Sequence, residues 1–104
     1  MITVVVDAGA ADSQAVPATP AGSDIQWVLW GFSAAETAGT AATAECVLRH
    51  GNGPTSPILV APMNFAADGF GYPTFFPVPL PVPNGIYVDR VSGTTTIVLY
   101  VDKQ

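Results

Sequence analysis

The chain has 104 residues, enough for one domain built around a single core. Charged residues make up only 11% of it, against roughly 25% in an ordinary globular domain. The net charge is −5, with Arg49, Arg90 and Lys103 as the fixed cations. Three scattered cations argue against phosphate neutralisation on a nucleic acid and against docking on an anionic membrane, and no apolar run reaches the roughly 18 residues of a membrane span.

Met1 to Val6 is a short β-branched run. Asp7 to Asp24 follows, rich in Ala, Gly, Pro, Ser and Thr and almost without large side chains. It has neither helical nor strand periodicity, which predicts a linker or extended arm. The expected organisation is therefore an N-terminal strand and arm over residues 1–24, followed by a β-sandwich domain over 25–104. An apolar strand on such a tether folds back onto its own sheet or pairs with the sheet edge of a neighbour.

The compact part begins near Ile25. The stretch Ile25 to Phe32, IQWVLWGF, is strongly β-prone. Trp27 and Trp30 are three apart, so a regular strand points them to opposite faces. Only Ala34 to Ala44 has any helical character, and Gly39 and the threonines oppose it. Ala42 to Arg49 alternates, with Ala42, Ala44, Cys46 and Leu48 on one face, as a half-buried strand does. His50 to Pro54 is a turn cluster. Ser56 to Phe65 is a further strand, in which Pro62 implies an edge or a bulge.

Ala66 to Tyr72 reads as a loop. From Thr74 to Pro83, Pro77, Pro79, Pro81 and Pro83 alternate. In a strand all four missing N–H groups fall on one side, giving an edge that cannot recruit another strand there. Asn84 to Val91 and Thr94 to Asp102 are the last strands. The turn signal Ser92-Gly93 between them predicts a C-terminal hairpin. The whole is all-β: a β-sandwich or jelly-roll-like barrel of about six to eight short antiparallel strands, with an extended N-terminal arm.

Residue types that do chemistry are sparse. Cys46 is the one cysteine, so no internal disulfide forms, and it falls on an apolar strand face with few basic neighbours to activate it. His50 is the one histidine, at a strand end beside Gly51, with no nucleophile motif around it. Among the eight carboxylates, spacing forces no close pair of the kind glycoside hydrolysis uses. Asp68-Gly69 lacks the repeated acidic spacing of a calcium loop. The sequence predicts no enzyme, no metal and no cofactor. It points instead to an interface. The Phe70-Gly71-Tyr72-Pro73 loop with Phe75 and Phe76 sets aromatics among Gly and Pro, where a small core buries them less easily. Ile2, Val4, Val6 and Trp27 complete the expected interface set.

Two stretches carry a family resemblance. Trp30-Gly31-Phe32-Ser33-Ala34-Ala35-Glu36-Thr37-Ala38-Gly39-Thr40-Ala41-Ala42-Thr43 and the closing Asn84-Gly85-Ile86-Tyr87-Val88-Asp89-Arg90-Val91-Ser92-Gly93-Thr94 resemble small virion proteins of tailed phages. The resemblance spans about Ile25 to Asp102, and its motifs mark turns and strands. It implies a head decoration (cement) protein, a homo-oligomer and often a trimer, bound to the lattice of the major capsid protein. Such a protein is made in the host cytoplasm and located on the capsid surface in the virion. The Pro-alternating segment and the long N-terminal arm depart from that pattern. A tail or neck accessory protein also fits, and a carbohydrate-binding adhesion module is the reading from another class.

Overall fold

The computed structural model of the chain describes residues 1–7, 11–37, 43–66, 69 and 73–104. These form eight strands: β1 (Ile2–Val6), β2 (Ser13–Val16), β3 (Trp27–Glu36), β4 (Ala44–His50), β5 (Ile58–Phe65), β6 (Thr74–Pro81), β7 (Ile86–Ser92) and β8 (Thr95–Lys103). No helix occurs among the described residues. Two four-stranded antiparallel sheets result, in the orders β1-β8-β3-β6 and β2-β7-β4-β5. The pairings β1·β8, β2·β7, β3·β6 and β4·β5 are nested, as in one long hairpin rolled over on itself. That is the topology of an eight-stranded jelly roll.

Strand alternation explains the core. In β8 the residues Thr95, Ile97, Leu99 and Val101 are all fully buried, while Thr96, Val98 and Tyr100 between them are half-buried. Ile86 and Val88 of β7, with Cys46 and Leu48 of β4, close the core from the opposite sheet. The alternation sets a test. Leu99→Ala is expected to cost about 2–5 kcal/mol through lost burial and a cavity. Val98→Thr, one residue along on the outer face, should cost less than about 1 kcal/mol. Urea denaturation of the two variants compares them directly.

Three features differ from the sequence expectation. The described residues of the 1–24 segment do not stand off the domain as an arm. β1 and β2 pair within the chain and form one edge of each sheet, with Val6 and Val16 buried in the shared core. β-Branched Val is stabilised more by burial in its own sandwich than by solvent exposure on a tether. The C-terminal strands are not a hairpin either: β7 pairs with β2 and β4, β8 with β1 and β3, and Gly93-Thr94 carries the chain from one sheet to the other. Ile86 and Val88 of β7 and Ile97, Leu99 and Val101 of β8 form apolar inner faces, and facing each other across the core buries both. Last, a bulge at Trp30 breaks the alternation of β3 against both β8 and β6. Trp27 and Leu29 before it and Phe32 and Ala34 after it all fall on the core side.

The prolines behave as their chemistry requires. Pro62 lies in edge strand β5, where the pairing with β4 slips between Cys46 and Leu48. β6 is the other edge on that flank. The Val82 N–H, just beyond it, points back to donate to the Trp27 carbonyl at 3.0 Å. Pro81 and Pro83 therefore face the open side, and the Pro83 carbonyl accepts the Thr19 N–H at 2.7 Å.

At one end of the sandwich Arg90 ties the N-terminal strands to the rest. It sits opposite Cys46, on the inner side of β7, with a side chain only 7% exposed. Its guanidinium donates to the carbonyls of Thr95 (3.0 Å), Asp7 (2.8 Å) and Val6 (3.3 Å). It also pairs with the Asp12 carboxylate at 3.4 Å, while the Arg90 backbone N–H donates to the other Asp12 oxygen at 3.1 Å. One side chain thus joins the end of β1, the start of β2 and the start of β8.

Candidate functional site

The two outer faces of the sandwich are unlike. On the β2-β7-β4-β5 sheet, Arg49 and Asp89 form an ion pair at 2.9 Å, and the Arg49 guanidinium also donates to the Ser56 carbonyl. With Gln14, Tyr87 and Glu45 this surface is richer in polar groups, although Ile58, beside Arg49, is 55% exposed. On the β1-β8-β3-β6 sheet the register sets Thr3 and Val5 beside Tyr100 and Val98. Gly31, Ser33 and Ala35 follow across β8, and Phe75 lies beyond Gly31. None of these eight residues is charged.

The centre of that face is an aromatic pair. The Phe75 and Tyr100 rings lie 5.0 Å apart at 32°. Gly31 lies between their strands, and a Cβ there would collide with the Thr74 carbonyl and the Phe75 ring. The missing side chain is what lets the two rings meet over the sheet. Phe75 is 53% and Val5 54% exposed, so large apolar groups stand in water at both flanks of this stretch, and its charges, Asp102 and the N-terminal ammonium, pair with each other at one end. Such a patch is the usual mark of a binding face.

The residues expected at an interface are divided by the fold. Val6 belongs to the core, Val4 packs against it, and Ile2 is 43% exposed at the end of β1. Trp27 is half-buried against the core, with the Lys103 ammonium 4.8 Å from its ring centre. Phe76 turns inward and meets Phe32 at 6.1 Å between ring centres. Phe75 alone of these lies on the aromatic face. Phe70 and Tyr72 lie outside the described residues. Thr3, Val5, Gly31, Val98 and Tyr100 were not in the expected set. Their one sequence signal is that they alternate with the core residues of their strands.

The remaining polar groups hold loops. At the end opposite Arg90 is a recess of about 370 Å³ lined by Gln14, His50, Asn52, Ser56 and Asn84, among others. His50 Nε2 accepts the Asn84 N–H at 3.1 Å, so that nitrogen carries no proton. The Gln14 amide donates to the carbonyls of Gly51 (3.1 Å) and Asn84 (2.9 Å). The Ser56 hydroxyl accepts the Gly53 N–H at 3.2 Å. Among the described residues, no group of three or more His, Cys, Asp or Glu is placed to hold a metal ion.

Cys46 is fully buried, and burial pushes its thiol from 9.0 up to about 11, with the Thr95 hydroxyl pulling weakly the other way. The folded state thus favours the protonated thiol. Its contribution to stability is intact below about 9 and is lost as pH rises through about 11. At pH 8 the native thiol should react with a disulfide reagent orders of magnitude more slowly than in urea. Absorbance of the released thiolate, followed with and without denaturant, measures this.

A comparison with known protein families, with curated proteins and with solved structures finds no match to this chain.

Proposed function

We propose that this protein is a phage virion structural protein, a decoration (cement) module that attaches to a capsid lattice and stabilises it without catalysis. One observation carries the reading: an outer sheet face whose centre, around Phe75 and Tyr100, is uncharged, with Asp102 at its margin paired to the N-terminal ammonium, on a chain of net charge −5. Elsewhere the carboxylates repel other acidic surfaces, so this face is where a partner approaches at least electrostatic cost. The jelly roll is at home among capsid and lectin domains, which is an analogy of fold. Many modest contacts repeated over a shell add up to firm attachment.

The test is cosedimentation with shells assembled from the major capsid protein of the same genome. Saturable binding is expected. Phe75→Ala should weaken it about thirtyfold, the size of an aromatic hot spot. Because Phe75 is half in water, the urea midpoint should move little.

A second reading is favoured by the same ring pair. Two adjacent aromatics on a flat sheet face are a platform for stacking a sugar ring. Binding to a glycan array that is lost in Phe75→Ala, with no binding to shells, would make the protein a carbohydrate-binding module.

A further inference from the structure

The sandwich has four open strand edges, and they are not equivalent. β6 turns prolines outward, so its free side offers carbonyls but lacks donors at Pro81 and Pro83. β5 contains Pro62, and its pairing slips twice. β2 is four residues long, and its pairing slips between Gln14 and Val16. β1 has neither device. Its five residues, Ile-Thr-Val-Val-Val, pair with β8 in unbroken register from Ile2↔Val101 to Val6↔Ile97. It contains no proline and no charge. Edge strands that must stay single are blunted by proline, charge or a bulge. Three edges here are blunted and one is left open.

We infer that β1 is the edge through which two copies of this chain join, antiparallel about a two-fold axis, to make one continuous eight-stranded sheet. The inference rests on the assembly reading above and names one of its contacts. A second copy is the occupant that this edge fits. An antiparallel pairing centred on Val4 is isologous, each strand offering the other the same groups. It sets Thr3 of one copy opposite Val5 of the other on the outer face. It makes the outer faces around Phe75 and Tyr100 of the two copies continuous. It also holds the two Asp7 carboxylates at opposite ends of the ladder, roughly 20 Å apart at the rise of a β-strand. A parallel pairing would bring them side by side.

The cross-strand pair of Thr3 with Val5 of the second copy supplies the test. Both positions are exposed and face water in the single chain, so charged variants should fold, which circular dichroism and the urea midpoint check. Thr3→Lys/Val5→Lys sets like charges opposite each other twice across the axis. Thr3→Lys/Val5→Glu sets opposite charges there. Sedimentation equilibrium over a concentration series is expected to show a monomer–dimer equilibrium for the native chain. The double-lysine variant should raise its dissociation constant tenfold or more, and the lysine–glutamate variant should dimerise at least as well as the native chain.

A native chain that stays monomeric into the millimolar range, a closed trimer, or a double-lysine variant that dimerises like the native chain would each overturn the inference. The two readings fail separately. A monomer that still cosediments with shells removes the β1 dimer and leaves the assembly role. A β1 dimer that ignores shells does the reverse.

Discussion

A chain lacking residues 1–24 is expected to be unfolded, with no cooperative urea transition and no dispersed amide spectrum. From the sequence the same truncation is expected to leave a folded domain that assembles poorly, since the arm lies outside the domain it serves. The structure reverses that expectation. The deletion removes an edge strand from each sheet and takes Val6 and Val16 out of the core. Two fully buried valines account for about 3–6 kcal/mol. It also removes Asp12 and the Val6 and Asp7 carbonyls from Arg90, leaving a buried guanidinium short of partners at about 3–5 kcal/mol. Together these losses rival the roughly 5–15 kcal/mol that holds a domain of this size. The central strands β7 and β8 would meanwhile become new edges, so the truncated chain should also aggregate. A soluble, cooperatively folding 25–104 fragment would show that β1 and β2 are accessory to the sandwich.

How legible this fold is depends on which physical rule each segment obeys. The β8 residues were readable because strict alternation of Ile97, Leu99 and Val101 with smaller or polar neighbours has a single explanation, a strand with one buried face. The edges at Pro62 and from Pro77 to Pro83 were readable for a different reason: a missing N–H is a property of the residue, independent of its surroundings. β2 was not readable. Ser13-Gln14-Ala15-Val16 contains one large apolar residue and lies inside a run of small ones. It is a strand because β7 offers it a ladder and the core offers Val16 a place. The crossing between β7 and β8 was also hidden. A turn signal between two strands says that the chain reverses and is silent on whether it stays in the same sheet.

The candidate site was hidden more deeply. Its residues come from β1, β3, β6 and β8, and only the register brings them to one face. Ile2, Val4 and Val6 looked like an interface because they are large and sit on a presumed arm. In a paired strand Val4 and Val6 turn to the core, and Thr3 and Val5 between them take the outer face. Trp30 shows a second limit. Counting by twos along β3 holds only as far as Leu29, because the bulge at Trp30 inserts one residue and shifts every later position to the other face. Gly31 then falls beneath the Phe75–Tyr100 pair. Its small size is a packing requirement that nothing in its own segment announces.

Arg90→Ala is expected to lower stability by about 3–5 kcal/mol, the largest effect of any single substitution outside the apolar core. The side chain is 7% exposed and makes bonds to three carbonyls and one carboxylate. Truncation removes their donor and takes the ion-pair partner from Asp12, which keeps only the backbone N–H of residue 90. Arg90→Lys retains the charge but not the fork. A single ammonium on a flexible stem does not bridge the Val6 and Asp7 carbonyls at the end of β1 and the Thr95 carbonyl of β8 at once, so it should recover less than half of the loss. Asp12→Asn separates charge from hydrogen bonding. The amide oxygen still accepts from the Arg90 backbone, the ion pair is gone, and the cost should stay near 1 kcal/mol because Asp12 is 32% exposed. Urea midpoints of the three variants therefore fall in the order Asp12→Asn, Arg90→Lys, Arg90→Ala. Equal losses for Arg90→Lys and Asp12→Asn would mean that the salt bridge, and not the carbonyl fork, is what joins β1 and β2 to the sandwich.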